Sequence, residues 1–167
     1  MTAPRSIAGL QPLSSSGFQT YFCDNAQLAD VIEWALEQTG AARLSISSFS
    51  VGEEFLRRLW RLKRSGAVTE CLLLLDVRAL RKTRLLASFM STVADRVMVG
   101  SNHSKVVIID GTAMSAVIVT SQNLTRGNRA EAGTVSADAA AVESVRARFN
   151  ELLKKSTCIY EIDRRTD

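Results

Sequence analysis

The segment NHSKVVIID, residues 102–110, holds the chain's only histidine, His103, and two residues later Lys105. Further on, VTSQNLT carries Ser121 and Asn123 at the same spacing. Side chains alternate faces along a strand, so His103 and Lys105 project one way, and Ser121 and Asn123 likewise share a side. Two neighbouring strands would bring an imidazole, an ammonium, a hydroxyl and a carboxamide to one spot. An imidazole can act as nucleophile or carry a proton, and the other three can hold phosphate oxygens. Taken singly, each has a plainer reading. A lone histidine on a strand is more often a satisfied structural group, and Ser121 and Asn123 suit helix caps before LTRG.

The surrounding pattern must supply those strands. GFQTYFC reads as a strand, and NAQLADVIEWALEQTG as an amphipathic helix with Asp24 or Asn25 as N-cap and Gly40 at its end. ARLSISSF alternates like a strand, and VGEEFLRRLWRLKRSG is a second helix closed by Gly66. TECLLLLD is a fully apolar buried strand, and VRALRKTRLLASFMSTV a third helix. RVMVG, KVVIID, AVIVTS and AEAGTVSA follow as strands, then a helix from about Ala139 to Lys155 and a short final strand at CIYEI. Strands alternating with helices predict an α/β fold, with a mixed, mostly parallel β-sheet flanked by helices on both faces. Trp34 and Trp60 fall at helical apolar spacing and are expected in the core. Residues 1–17 read as an N-terminal arm, and 18–167 as a single domain without internal repeat.

Composition narrows the class. The chain has 167 residues, 46% hydrophobic and 23% charged, with 2 Pro and 9 Gly, which excludes a disordered or fibrous protein. A net charge of +4 favours polyanionic partners. Cys23, Cys71 and Cys158 are odd in number and widely spaced, as expected of reduced thiols in a reducing compartment. The sequence contains no apolar stretch of signal-peptide or membrane-spanning length, so a cytoplasmic location without stable membrane insertion is expected. In RRLWRLKR the charges alternate with Leu59, Trp60 and Leu62, the pattern of the wet face of a packed helix. VRALRKTR is different. Its Arg78, Arg81, Lys82 and Arg84 follow directly on the buried strand ending at Asp76, and loops at the carboxyl ends of strands line ligand clefts. This cluster, with Arg126, is the candidate surface for nucleic-acid phosphates.

The order His, any residue, Lys, four residues, Asp, followed by Ser, any residue, Asn, resembles the signature of the phospholipase D superfamily. His103, Lys105 and Asp110 match its first part and Ser121 and Asn123 its second. Glu131 in GNRAEAG falls where members commonly carry a further acidic residue. The resemblance reaches back through SISSFSVGEEFLRRLWRLKRSGAVTECLLLLD, arranged as in the compact single-motif nucleases of that group, and covers about Phe18 to Lys155. Thr120 stands where the family usually has Gly. The interval from Asp110 to Ser121 is also longer than usual, by an amount a wider hairpin turn at GTAMS would absorb.

What the resemblance implies is a metal-independent phosphodiesterase without cofactor, acting on DNA or RNA. In such enzymes one histidine attacks phosphorus to form a phosphohistidine and a second protonates the leaving oxygen, while lysines and asparagines neutralise the phosphate. With one histidine per chain it implies a homodimer in which two NHSK segments face a shared cleft. Glu131 would accept a hydrogen bond from the imidazole and fix its tautomer. Asp110, at the end of VVIID before Gly111, suits a turn-stabilising role instead. The chain has no room for a separate sequence-reading module, so any specificity would come from a protein partner. A phospholipid hydrolase and a catalytically weak nucleic-acid-binding module of the same fold are the competing readings.

Overall fold

The structure, a computed structural model, describes residues 7–162. Its strands are β1 (Phe18–Cys23), β2 (Ala42–Ser48), β3 (Val68–Asp76), β4 (Arg96–Gly100), β5 (Val106–Gly111), β6 (Ser115–Thr120), β7 (Glu131–Ser136) and β8 (Thr157–Glu161). They form one sheet in the order β1-β7-β6-β5-β2-β3-β4-β8. Helices α1 (Leu28–Thr39) and α2 (Glu53–Arg64) alternate with the first strands, α3 (Leu80–Leu85) and α4 (Ala87–Val93) precede β4, and α5 (Ala139–Lys154) precedes β8.

The expectation of a mostly parallel sheet is corrected. The β2–β3 and β3–β4 pairings are parallel, and β1–β7, β7–β6, β6–β5, β5–β2 and β4–β8 are antiparallel. The cause lies in connection length. Helices carry the chain back between β2, β3 and β4, whereas Thr112–Met114 between β5 and β6 can make only a hairpin. This turn is tight against its surroundings. A Cβ on Gly111 would stand 2.2 Å from the Thr39 carbonyl oxygen, so only glycine fits there.

Helices do cover both faces. On one, Leu28, Val31, Ile32 and Ala35 of α1 and Phe55, Leu56 and Leu59 of α2 bury against Leu44, Ile46, Leu73 and Ile109. On the other, Val142 and Phe149 of α5 bury against Leu74, Met98, Ile108 and Val117. The alternation of Leu73 and Leu74 between these clusters explains the uninterrupted apolar run of β3, whose two faces are both dry. Each such leucine contributes on the order of 1.5–3 kcal/mol of burial.

Several local expectations change. The N-cap of α1 is Gln27 rather than Asp24 or Asn25, and the Asp30 carboxylate accepts its N–H at 2.8 Å. The single third helix is a 3₁₀ turn (Val77–Ala79) followed by two short helices. Trp34 is buried as expected, but Trp60 is 43% exposed, with the Arg64 guanidinium 4.8 Å from its ring centre. Within the expected arm, residues 1–6 lie outside the described residues, as do 163–167 at the other end. Leu10 and Leu13 pack into the core, and the Gln38 side chain accepts the Leu13 N–H at 2.7 Å. Cys71 is buried, with its thiol pKa pushed up by that burial, Cys23 is half-buried and Cys158 is exposed.

Candidate active site

β4 ends at Gly100 and β5 begins at Val106, yet β3 and β2 lie between them in the sheet. At ~4.8 Å per strand the chain must travel about 14 Å over five residues. Residues 101–105 therefore form a strap drawn across the carboxyl ends of β3 and β2, and His103 sits on this strap. It was expected at the start of a strand. Lys105 lies one residue before β5, and its carbonyl accepts the Thr120 N–H at 3.0 Å, extending the β5–β6 ladder by one rung. The longer hairpin leaves the register intact, because Asp110 still faces Ser115 and Val106 faces Val119.

The strap is held from beneath. Asp76, fully buried at the end of β3, accepts the Asn102 N–H through Oδ2 and the Arg78 N–H through Oδ1, both at 2.7 Å. The buried Asn102 side chain donates to the carbonyls of Ser48 (3.2 Å) and Leu74 (3.3 Å). Its Oδ1 accepts from the Ser47 hydroxyl (3.0 Å) and from the N–H and hydroxyl of Ser104.

Above this frame, Lys105 Nζ donates to the His103 carbonyl at 2.6 Å and lies 3.2 and 3.4 Å from Nδ1 and Nε2 of the same residue. Phe49 meets the imidazole edge-on, with ring centres 5.5 Å apart. Burial holds the Lys105 pKa below the ordinary lysine range, opposed by the negative charges of Glu131 and Asp76. Asn123 Oδ1 accepts from the Ser48 hydroxyl (3.3 Å) and the Phe49 N–H (3.2 Å), and Nδ2 makes no hydrogen bond among the described residues. The Ser121 hydroxyl donates to Glu131 Oε2. His103, Lys105, Ser121, Asn123 and Glu131 thus lie at one end of the strands, where β2, β3 and β6 end and β5 and β7 begin. The expected bond from the imidazole to Glu131 is not made among the described residues, where the carboxylate accepts from Ser121 through Oε2.

Asp110 stands apart, at the far end of β5. Its carboxylate takes a two-pronged ion pair from Arg146 of α5, both contacts 2.7 Å, and Arg43 lies 3.9 Å away. The Ser115 hydroxyl also donates to Asp110 Oδ1 at 3.4 Å across the β5–β6 turn, so the carboxylate makes a turn contact and in addition fastens α5 to the sheet.

Thr120, where a glycine was the norm, is built in. Its hydroxyl lies 2.8 Å from the Tyr21 hydroxyl, accepts the Gln122 N–H at 3.2 Å and donates to the Ala132 carbonyl at 3.0 Å. Tyr21 lies across Gly133, where an added Cβ would come within 2.6 Å of its ring. Burial raises the Tyr21 pKa.

Arg78, Arg81, Lys82 and Arg84 are exposed on the segment that Asp76 ties to the strap. Arg126 follows Asn123 on an exposed loop, 3.6 Å from Glu54. In α2, Arg57 pairs with Glu53, Arg58 with Asp30 and Glu33, and Lys63 with Asp95, so those charges brace the helix as its pattern suggested. Sequence reasoning missed Asp76, Asn102, Ser47, Ser48 and Tyr21. The available signal was a carboxylate closing the apolar run CLLLL, and an asparagine beside the sole histidine.

Among the described residues no group of three or more His, Cys, Asp or Glu side chains could hold a metal ion, and no helix is long and apolar enough to cross a membrane. Chemically, the site offers an exposed imidazole, a buried ammonium against it and an open amide nitrogen.

No protein-family model and no curated protein matches the chain. Solved structures do. Nuc from Salmonella typhimurium, described as a phospholipase D family member, superposes with a TM-score of 0.68 at 15% identity, covering 87% of this chain and 98% of that one. NucT from Helicobacter pylori gives 0.65 at 13% identity, covering 85% and 99%. The phosphatidylserine synthase of Haemophilus influenzae Rd KW20 gives 0.60 at 14%, covering 85% of this chain and 40% of that one. These superpositions show the fold alone: the chain has the phospholipase D superfamily fold.

Proposed function

We propose that this protein is a metal-independent phosphodiesterase, a nuclease cleaving DNA or RNA through a phosphohistidine at a site shared by two copies of the chain. The observation that carries the reading is the contact of Lys105 with His103, beside an open Asn123 amide and next to the exposed Arg78–Arg84 cations. His103 is the nucleophile. Its attack on phosphorus forms the N–P bond as the bond to the leaving oxygen breaks. Lys105 and Asn123 hold the non-bridging oxygens, where charge grows in the transition state. Ser121, bonded to Glu131, fixes the far wall.

The leaving oxygen needs a proton, and water must then release the phosphoryl group. An imidazole suits both tasks near neutral pH, and each chain has one, so His103 of a second copy takes this role across a two-fold axis. Arg78, Arg81, Lys82, Arg84 and Arg126 attract the polyanion. A protein partner would add sequence specificity, and the cytoplasm is the setting that free thiols favour. Substrate class is tested by incubating the protein with single-stranded DNA, duplex DNA, RNA and phospholipid, each in excess chelator. Cleavage of nucleic acid is expected. Release of a lipid headgroup alone would favour a phospholipid hydrolase, and tight binding without cleavage a nucleic-acid-binding module.

A further inference from the structure

The strap that carries His103 lies outside the strand ladder, so its shape depends on groups beneath it. Asp76 links the strap to the basic segment. One carboxylate oxygen accepts the Asn102 N–H, adjacent to His103, and the other accepts the Arg78 N–H, at the head of the basic segment. The side chain is fully buried, and its backbone N–H donates to the carbonyl of Phe49, the residue whose ring abuts the imidazole. A buried carboxylate is costly unless its oxygens are occupied, and here both are: Oδ2 by the Asn102 N–H, and Oδ1 by the Arg78 N–H with the Arg78 Nε 3.5 Å away.

We propose that Asp76 is a positioning residue: through Asn102 it sets the placement of His103, and through Arg78 it keeps the basic segment in register with that imidazole. The inference deepens the function proposed above, but its first readout does not depend on turnover. Because His103 is the sole histidine, its imidazole NMR signals are assigned without ambiguity. Asp76→Asn keeps the volume but turns a donor toward either Asn102 or Arg78. The expected result is a displaced His103 signal in a folded protein, with kcat lowered roughly 10- to 100-fold, the loss typical of misplacing a reactive group by an ångström or less. KM and nucleic-acid affinity should stay within about 3-fold, because the Arg78–Arg84 side chains remain.

Unmoved His103 signals, or wild-type kcat per folded molecule, would overturn the proposal. If the wild-type protein cleaves nothing, the imidazole signals still decide it. If Asp76→Asn does not fold, Asp76→Glu takes its place, since it keeps the charge and moves the carboxylate that accepts the Asn102 and Arg78 N–H groups. A shifted His103 signal in this variant supports the positioning role of Asp76, and an unshifted one overturns it.

Discussion

Replacing Asp110 separates the two halves of the His-Lys-Asp motif. Lys105 and Asp110 are five residues apart, and at ~3.3 Å per residue the carboxylate stands about 17 Å from the ammonium's backbone. Asp110→Ala should therefore cost stability and leave the chemistry intact. The carboxylate receives two charge-assisted bonds of 2.7 Å from Arg146, whose side chain is 27% exposed. Such bonds are each worth about 1.5–3 kcal/mol when buried. Partial solvation and the remaining Glu143 pairing with Arg146 reduce the loss to about 2 kcal/mol. For a chain of this size that lowers Tm by roughly 4–8 °C. The assay is thermal and urea unfolding of Asp110→Ala, Arg146→Met and the double variant, with kcat measured at a temperature where all are folded. A coupling of about 1–2 kcal/mol is expected across the cycle, with kcat within about 2-fold of wild type. A folded Asp110→Ala protein that has lost activity 10-fold or more, with Tm unchanged, would refute the separation.

His103→Ala should abolish turnover while leaving Tm and nucleic-acid binding near wild type, and residual cleavage above background would remove the imidazole from the mechanism. Replacing Arg78, Arg81 and Lys82 with Ala should weaken binding to all sequences alike and flatten its salt dependence by about one unit of slope for each phosphate no longer neutralised, whereas an unchanged slope would return the cluster to plain solvated surface. Lys105 acts as a cation and its pKa is depressed by burial, so its charge is lost as pH rises, and the alkaline limb of kcat should fall below the usual lysine range. Glu131→Gln removes a charge that opposes this depression and should move the limb to still lower pH, while Lys105→Arg should abolish it at reduced rate; a limb that Glu131→Gln leaves in place would argue against the assignment.

The elements were largely legible in the sequence, but their directions were not. Apolar runs such as CLLLL and the periodic face of Leu28, Val31, Ile32 and Ala35 mark strand and helix by burial alone. Strand direction depends on which strands become neighbours, a long-range choice: β5 inserts beside β2 rather than β4, and only the three-residue Thr112–Met114 turn betrayed a hairpin. The same insertion explains the site. His103, Lys105, Ser121 and Asn123 could be found by residue type and spacing, and hairpin register brings their two segments together. Asp76 and Asn102 were marked only by position, a carboxylate closing β3 and an asparagine beside the sole histidine, and their role arises when the chain spans the ends of β3 and β2, a crossing that exists only once the sheet order is known. Trp60 was misjudged because helical spacing defines a stripe without saying how wide the covering surface is.

The proposed mechanism stands or falls on a covalent bond between His103 and phosphorus. Acid-free rapid quenching of the protein with a 32P-labelled oligonucleotide in excess chelator, followed by proteolysis, looks for that bond. The predicted result is a transient, acid-labile label on the peptide containing His103, absent from His103→Ala. Full-rate cleavage without any labelled protein, or with the label on another residue, would contradict the mechanism.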